Sequence, residues 1–277
     1  EMCIRDRSGT GLRRELGVLG LVAAGVGSMV GAGINIVPFA LQRSVPVGPH
    51  TLSAYALAAL PAVLAALCYA MLASAMPRAG GSYVYVSRSL GAYAGFVASF
   101  SQWVGLCIAI GVVSYVIAPF LRDTATAAGW VDVAAWLDLR PVRLGIALAA
   151  LWGAWGLNRL GVKAVASALV PLMVLTFACG GLVIWAGATH DHAAYAAIVP
   201  AAAQATGTAL PLSQVILPAA AVLFSSFIGF DAIAQAGGEA RNPSRSLPLA
   251  IGLAIGLVGA FYLAFTWAVN HAVPWQY

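Results

Sequence analysis

Val222-Leu223-Phe224-Ser225-Ser226-Phe227-Ile228-Gly229-Phe230-Asp231, continuing to Gly237-Gly238-Glu239-Ala240-Arg241-Asn242-Pro243-Ser244-Arg245, is the stretch on which the fold turns. Apolar residues dominate from Val215 to Ala236, about the ~20 residues a helix needs to cross a bilayer. Two serines, a glycine and a carboxylate nevertheless sit in its middle. An ionisable group at that depth is costly and marks a pathway or a site by default. Gly229 lets the backbone leave helical geometry, and lipid tolerates such a break only where the freed groups face protein or water. The stretch therefore predicts a broken helix, with the polar segment after it returning the chain to the membrane surface.

A second interrupted segment lies near the start, at Gly25-Val26-Gly27-Ser28-Met29-Val30-Gly31-Ala32-Gly33-Ile34-Asn35. Glycine-interrupted hydrophobic segments in corresponding places of two half-repeats point to a binding site near the membrane midplane. The remainder of the chain then reads as scaffold for this pair.

Composition bounds the class. The 277 residues are 61% hydrophobic and only 8% charged, with a mean hydropathy of +0.90, against roughly 25% charged in ordinary soluble domains. The long uncharged runs lack strand-like alternation, so a helical bundle is expected rather than a barrel. The net charge of +5 does not imply a nucleic-acid partner, because the basic residues are scattered between spans, as positive-inside placement requires. Cys68, Cys107 and Cys179 fall inside apolar runs and Cys3 in the leader, which argues against a disulfide frame or metal cluster. His50, His190, His192 and His271 all fall in connections or at a span's end. His190-Asp191-His192 has metal-ligand character but reads better as a solvated loop. No cofactor, metal site or catalytic group is expected.

Seven spans are predicted: Leu16–Leu41, Leu52–Met76, Gly91–Leu121, Val142–Leu157, Ala164–Ala188 with Pro171 as a kink, the broken crossing, and Leu247–Val269. A short amphipathic segment around Trp130–Leu139 lies on the surface, and Ala193–Ser213 is a Pro- and Ala-rich connection. With residues 1–15 as a cytoplasmic leader, ten of the 14 basic residues fall on the inner side, the asymmetry the positive-inside rule demands.

Three blocks in this order and spacing carry a family likeness. They are Gly27-Ser28-Met29-Val30-Gly31-Ala32-Gly33-Ile34; Met76-Pro77-Arg78-Ala79-Gly80-Gly81-Ser82-Tyr83 running on to Gly91; and Phe227-Ile228-Gly229-Phe230-Asp231 followed by Glu239-Ala240-Arg241-Asn242-Pro243-Ser244-Arg245-Ser246-Leu247-Pro248. Together they resemble the amino acid–polyamine–organocation (APC) superfamily of amino acid permeases, from Arg13 to the end. The resemblance implies an all-α, multi-pass membrane protein of the leucine-transporter-type inverted-repeat fold, with helices 1 and 6 discontinuous. The first five-helix repeat would occupy residues 16–189. Residues 190–277 would begin the second repeat, so the sequence reads as a fragment truncated after helix 7.

The same resemblance implies a secondary transporter that moves an amino acid or related amine across the plasma membrane (a bacterial-type inner membrane) by alternating access. A coupling proton is favoured over exchange, and sodium stays open. Met29, Gly31, Ala32, Gly33, Ser225, Ser226, Ile228 and Gly229 are the implied substrate-binding positions. The amides of Ala32 and Gly33 would face a carboxylate at a half-helix N-terminus. The carbonyls of Met29, Ser225 and Ile228 would face an ammonium. Tyr83, Phe227, Asp231 and Glu239 are the gating or coupling candidates. Asp231 alternatively complements the dipole of the helix it starts, Tyr83 and Phe227 alternatively pack, and Glu239 would pair with Arg78, Arg88, Arg241 or Arg245. Beyond the substrate and coupling ion, membrane lipid is an expected partner and nucleic acid is not, while the oligomeric state stays open.

Two departures from the family pattern bear on function. Gly238 stands where an acidic residue is usual, which weakens a two-carboxylate gate, and Ser225 replaces an aromatic found in some arginine exchangers. The spans hold no histidine and only one clear carboxylate, which leaves a membrane-embedded enzyme little to work with. A carrier with parallel six-helix halves would carry a basic Gly-x-x-x-Asp-Arg-type loop where Gly80-Gly81-Ser82-Tyr83 stands, and a channel would repeat a pore loop.

Overall fold

Long uncharged runs satisfy their backbone in lipid by forming helices, and this chain does so. The structure, a computed structural model, describes residues 15–31, 34, 37–38, 41–42, 45–193 and 210–274. The described helices are α1 (Val18–Met29), α2 (Thr51–Ala75, entered by a 3-10 turn at Gly48–His50), α3 (Gly81–Leu90), α4 (Ala92–Ala127), α5 (Val131–Leu137), α6 (Arg140–Arg159), α7 (Val162–Thr189), α8 (Leu212–Phe224), α9 (Asp231–Gln235) and α10 (Pro243–Ala272). Five stretches are long and apolar enough to cross a membrane: Gly48–Ala75, Ala92–Ala127, Ala164–Thr189, Leu212–Gly238 and Pro243–Ala272. Only 6% of the most apolar window of α4 is buried within the protein. So large an apolar surface is compatible with lipid and not with water. The molecule is an all-α, multi-pass membrane protein.

The described residues pack as two compact units, one drawn from Glu1–Val84 and Leu169–Tyr277, the other from Tyr85–Ala168. The core of the first unit is written in helical periodicity. In α2, Thr51, Ala54, Tyr55, Ala58, Ala62, Ala66 and Ala73 are buried, mostly at i+3 and i+4 steps that define one face. In α10 the buried face runs through Leu247, Ala250, Ile251, Ala254, Ile255, Val258, Phe261 and Tyr262. The alanines of α2 let its backbone come close to α8 and α10, the small-residue packing that membrane helices use in place of a hydrophobic drive. Leu21, Val22, Val26 and Met29 turn one side of α1 inward, against α9 and α10.

The second unit packs α4 against α5 and α6. Ala125, Ala134 and Leu137 form its buried cluster, with Val142 and Ile146 against them. The segment read as Val142–Leu157 is α6, 20 residues long but outside the five apolar stretches, because Arg140, Arg143 and Arg159 lower its apolar character. The crossing read as Gly91–Leu121 continues to Ala127, and α7 runs through Pro171 without interruption. Ala193–Ser213 lies almost wholly outside the described residues, as does the outer part of the first crossing.

An ion cluster closes the polar end of the second unit. Asp138 accepts hydrogen bonds from Arg122 at 2.8 Å and from Arg143, and Arg122 also reaches Asp123 at 2.7 Å. The hydrogen bonds from Arg122 and Arg143 hold the Asp138 carboxyl below its usual range. A depressed carboxyl stabilises the fold above its unfolded value, about 3.9, and the contribution is lost as pH falls through the lowered folded value. Asp138→Asn is therefore expected to lower the unfolding temperature slightly at pH 7, with the gap to wild type closing below about pH 4. Identical melting curves at pH 7 would show that the cluster contributes no stability.

Candidate functional site

The sixth crossing is broken where the serines and Gly229 predicted. Helix α8 ends at Phe224, a 3-10 turn covers Ser225–Phe227, and Ile228 is extended (ψ 130°). Gly229 follows at φ +143°, a conformation open to glycine and closed to residues with a Cβ. The chain re-enters a helix at Asp231. The first crossing stops being helical at Met29, and Val30 is extended.

The two breaks lie against each other. A Cβ on Gly229 would sit 2.8 Å from the carbonyl carbon of Ser28 and 2.9 Å from side-chain atoms of Ser28 and Met29. Position 229 thus needs glycine twice, for its dihedral angle and for the close approach of α1. A third element joins them. The Tyr262 hydroxyl of α10 donates to the Met29 carbonyl at 2.6 Å and to the Ser226 carbonyl at 2.9 Å. A phenol carries one proton, so the two freed carbonyls share a single donor.

Around this point the rings of Tyr55, Phe227 and Tyr262 pack mutually, with centroids 5.2 to 6.3 Å apart. The Tyr55 hydroxyl lies beside Ser226, and both hydroxyls are buried without completing a hydrogen bond among the described residues. Each break therefore has a packed side and an open side. Met29, Ser226, Phe227 and Gly229 face the packed side, while Gly27, Ser28, Gly31, Ser225 and Ile228 are exposed.

The predicted positions separate along this line. Met29, Ser226 and Gly229 meet at the junction. Ser225 and Ile228 stand on the open side, where the Ser225 carbonyl already accepts the Ile228 N–H at 3.2 Å. Gly31 ends the described part of the first break, and Ala32 and Gly33 lie outside the described residues, as does Asn35. Phe227 is 1% exposed and packs in the aromatic cluster. Tyr83, at the start of α3, is 46% exposed. Asp231 opens α9, where an acidic group complements the helix dipole, and accepts a hydrogen bond from Gln235 at 3.2 Å. Among the described residues Glu239 forms no ion pair with Arg78, Arg241 or Arg245; its recorded contacts run through the backbone. His192 and His271 bond the helix-end carbonyls of Asn270 and Gly187, each at 2.9 Å. Among the described residues no group of three or more His, Cys, Asp or Glu could hold a metal.

Tyr262 and Tyr55 escaped the reading of the sequence. Their signal is a hydroxyl deep in an apolar span, which buried hydroxyls ordinarily satisfy with a partner on another element. Tyr262→Phe keeps the ring and removes the proton, leaving two buried carbonyls short of a donor. An unsatisfied buried polar group costs about 1–3 kcal/mol, so the variant is expected to unfold in detergent several degrees below wild type. An unchanged melting temperature would mean that the bridge contributes nothing.

A model of the amino acid permease family matches residues 16–277. The human cationic amino acid transporter 4 is 27% identical, over 96% of this chain and 42% of its own length. The chloroplastic cationic amino acid transporter 9 of Arabidopsis thaliana is 29% identical, over 100% of this chain and 48% of its own. An uncharacterized transporter of Mycobacterium tuberculosis is 31% identical, over 93% of this chain and 53% of its own. The chain thus spans about half the length of the curated relatives it matches. By the family match over residues 16–277, with both expected helix breaks in place, the chain belongs to the amino acid permease family.

Proposed function

We propose that this chain is the N-terminal part of a secondary transporter that carries an amino acid or related amine through the membrane by alternating access. In this reading residues 16–189 form the first five-helix repeat of an inverted-repeat fold, and residues 190–277 begin the second. The observation that carries the proposal is the seating of Gly229 against Ser28 and Met29. It brings two interrupted crossings together and leaves their backbone groups unpaired by helix.

Such a junction suits a zwitterion. The Gly31-Ala32-Gly33 stretch would offer N–H groups and the positive end of an outer half-helix to the carboxylate. The carbonyls of Met29, Ser225 and Ile228 would receive the ammonium. Because Tyr262 already donates to the Met29 carbonyl in this structure, the ammonium would use the second lone pair of that carbonyl or share it with the phenol. The human and Arabidopsis relatives are cationic amino acid transporters, which makes cationic amino acids the first substrates to screen.

Uptake is coupled to protons in this proposal, with Asp231 as the titrating group. Ten of the 14 basic residues fall on one side of the predicted topology. This supports an N-terminus on the cytoplasmic face of a plasma membrane of bacterial type.

Two measurements on the full-length protein test this reading. Gly31→Trp or Gly33→Trp is expected to weaken amino acid binding by at least about tenfold, equivalent to about 1.4 kcal/mol, without loss of membrane insertion. Unchanged binding in both variants would remove the site. Asp231→Asn is expected to flatten the pH dependence of uptake in proteoliposomes, and a wild-type profile would leave Asp231 only its place at the start of α9.

A further inference from the structure

The C-terminal ends of α7 and α10 lie together, and each helix is capped by a histidine from the other. The last four carbonyls of a helix have no partner within it. In α7 these run from Ala186 to Thr189, and in α10 from Val269 to Ala272. His271, in the last turn of α10, places Nδ1 at 2.9 Å from the Gly187 carbonyl of α7 and at 3.1 Å from the His190 carbonyl. His192, just past α7, places Nε2 at 2.9 Å from the Asn270 carbonyl of α10. A carbonyl only accepts, so each of these ring nitrogens carries its hydrogen and donates. His190 caps its own helix, with Nδ1 at 2.9 Å from the Ala186 carbonyl.

We propose that His192 and His271 form a reciprocal clip that fastens the end of α7 to the end of α10 and tightens when the solution on that side turns acid. On the permease reading above, α7 ends the first repeat and α10 belongs to the second, so the clip joins the repeats at one face. The clip itself does not depend on that reading.

Packing below the clip brings the carbonyls within reach. Gly187 seats on α10 so closely that a Cβ there would lie 2.5 Å from the Ala268 carbonyl oxygen and 2.9 Å from the Ala268 Cβ. Two turns earlier, Gly180 receives the Phe261 ring in the space a Cβ would take. The spacing is the same on both helices, so one face of each is held against the other. The two ends therefore arrive side by side, each carrying the partial negative charge of a helix C-terminus. Like charges repel, and a cation placed between them relieves the repulsion.

Titration gives the clip its direction. Imidazole is the side chain whose charge ordinarily changes between about pH 5 and 8. An imidazolium at a helix C-terminus is favoured by the dipole and bonds the carbonyl with charge assistance. Among the described residues, the titratable groups on the two helix ends and the segment following α7 are His190, Asp191, His192 and His271. The Asp191 carboxylate also favours a cation nearby. All three histidines are exposed, so protons reach them from solution. The Trp267 ring is stacked on His271 with centroids 5.4 Å apart, and an indole face favours a cation as well. Stabilisation by the clip is therefore greatest at acid pH and declines as pH rises through the imidazole range.

The experiment separates donation from titration. In the full-length protein in detergent, His271→Asn with His192→Gln keeps an N–H near each donor position but cannot gain a charge. His271→Phe with His192→Phe removes both donors. Hydrogen exchange is followed for peptides covering both helix ends, each variant against wild type at the same pH. The phenylalanine pair is expected to exchange severalfold faster than wild type at pH 8 and at pH 5.5. The amide pair is expected to match wild type at pH 8. At pH 5.5 it should exchange severalfold faster and melt about 1–4 °C lower. Wild-type exchange in the phenylalanine pair would overturn the clip, and wild-type behaviour of the amide pair at pH 5.5 would overturn its acid response. The amide pair keeps both donors, so it reports even where the phenylalanine pair does not fold. These readouts involve no amino acid, so a failed binding or uptake assay would overturn the permease reading alone.

Discussion

A backbone that stops being helical inside a membrane leaves N–H and C=O groups with no water to take them, and each such group costs several kcal/mol if it stays unpaired. This chain opens its backbone in two crossings and manages the cost by placing the openings side by side. Gly229 sits on Ser28 and Met29, and one phenolic proton from Tyr262 serves a carbonyl from each break. The packing of α2 and α10, the aromatic cluster and the burial of Ser226 all support this junction.

One donor for two acceptors is a marginal arrangement. It keeps the junction together without saturating it, since each carbonyl retains a lone pair. Ser225, Ile228, Ser28 and Gly31 are exposed on the open side, whereas Met29, Ser226 and Gly229 are buried on the packed side. A binding site for a charged small molecule needs this asymmetry. In the proposed permease, packing behind the breaks would position the polar groups, and the exposed side would be where a ligand meets them. The bridge between Leu16 and Ala240 extends the same logic to the segment before α1, where backbone groups outside the regular elements pair with each other.

Much of this was legible in the sequence, and particular residues say why. A serine pair, a glycine and an aspartate inside an apolar run are locally improbable, so the break of the sixth crossing could be read to within a residue or two of Gly229. The alanine spacing of α2 and the apolar face of α10 follow from a period that sequence carries directly. The opposite case is Glu239. Its charge drew attention to its carboxylate, yet the contact it makes is through its carbonyl to Leu16, and any residue but proline could stand opposite it. Phe227 reads as an aromatic of the gate or of the core, and it is buried against Tyr55 and Tyr262.

The division is physical. Local chemistry determined the class of molecule, the placement of the long helices and the two sites of interruption, because hydropathy, glycine freedom and charge placement act over a few neighbouring residues. Only the tertiary structure decided that the breaks touch, that Tyr262 from 233 residues away bridges them, and that Leu16 pairs with Ala240. These are contacts between peptide groups and single hydroxyls far apart along the chain. Peptide groups are the same at every position, so their pairing leaves no mark in the sequence of side chains.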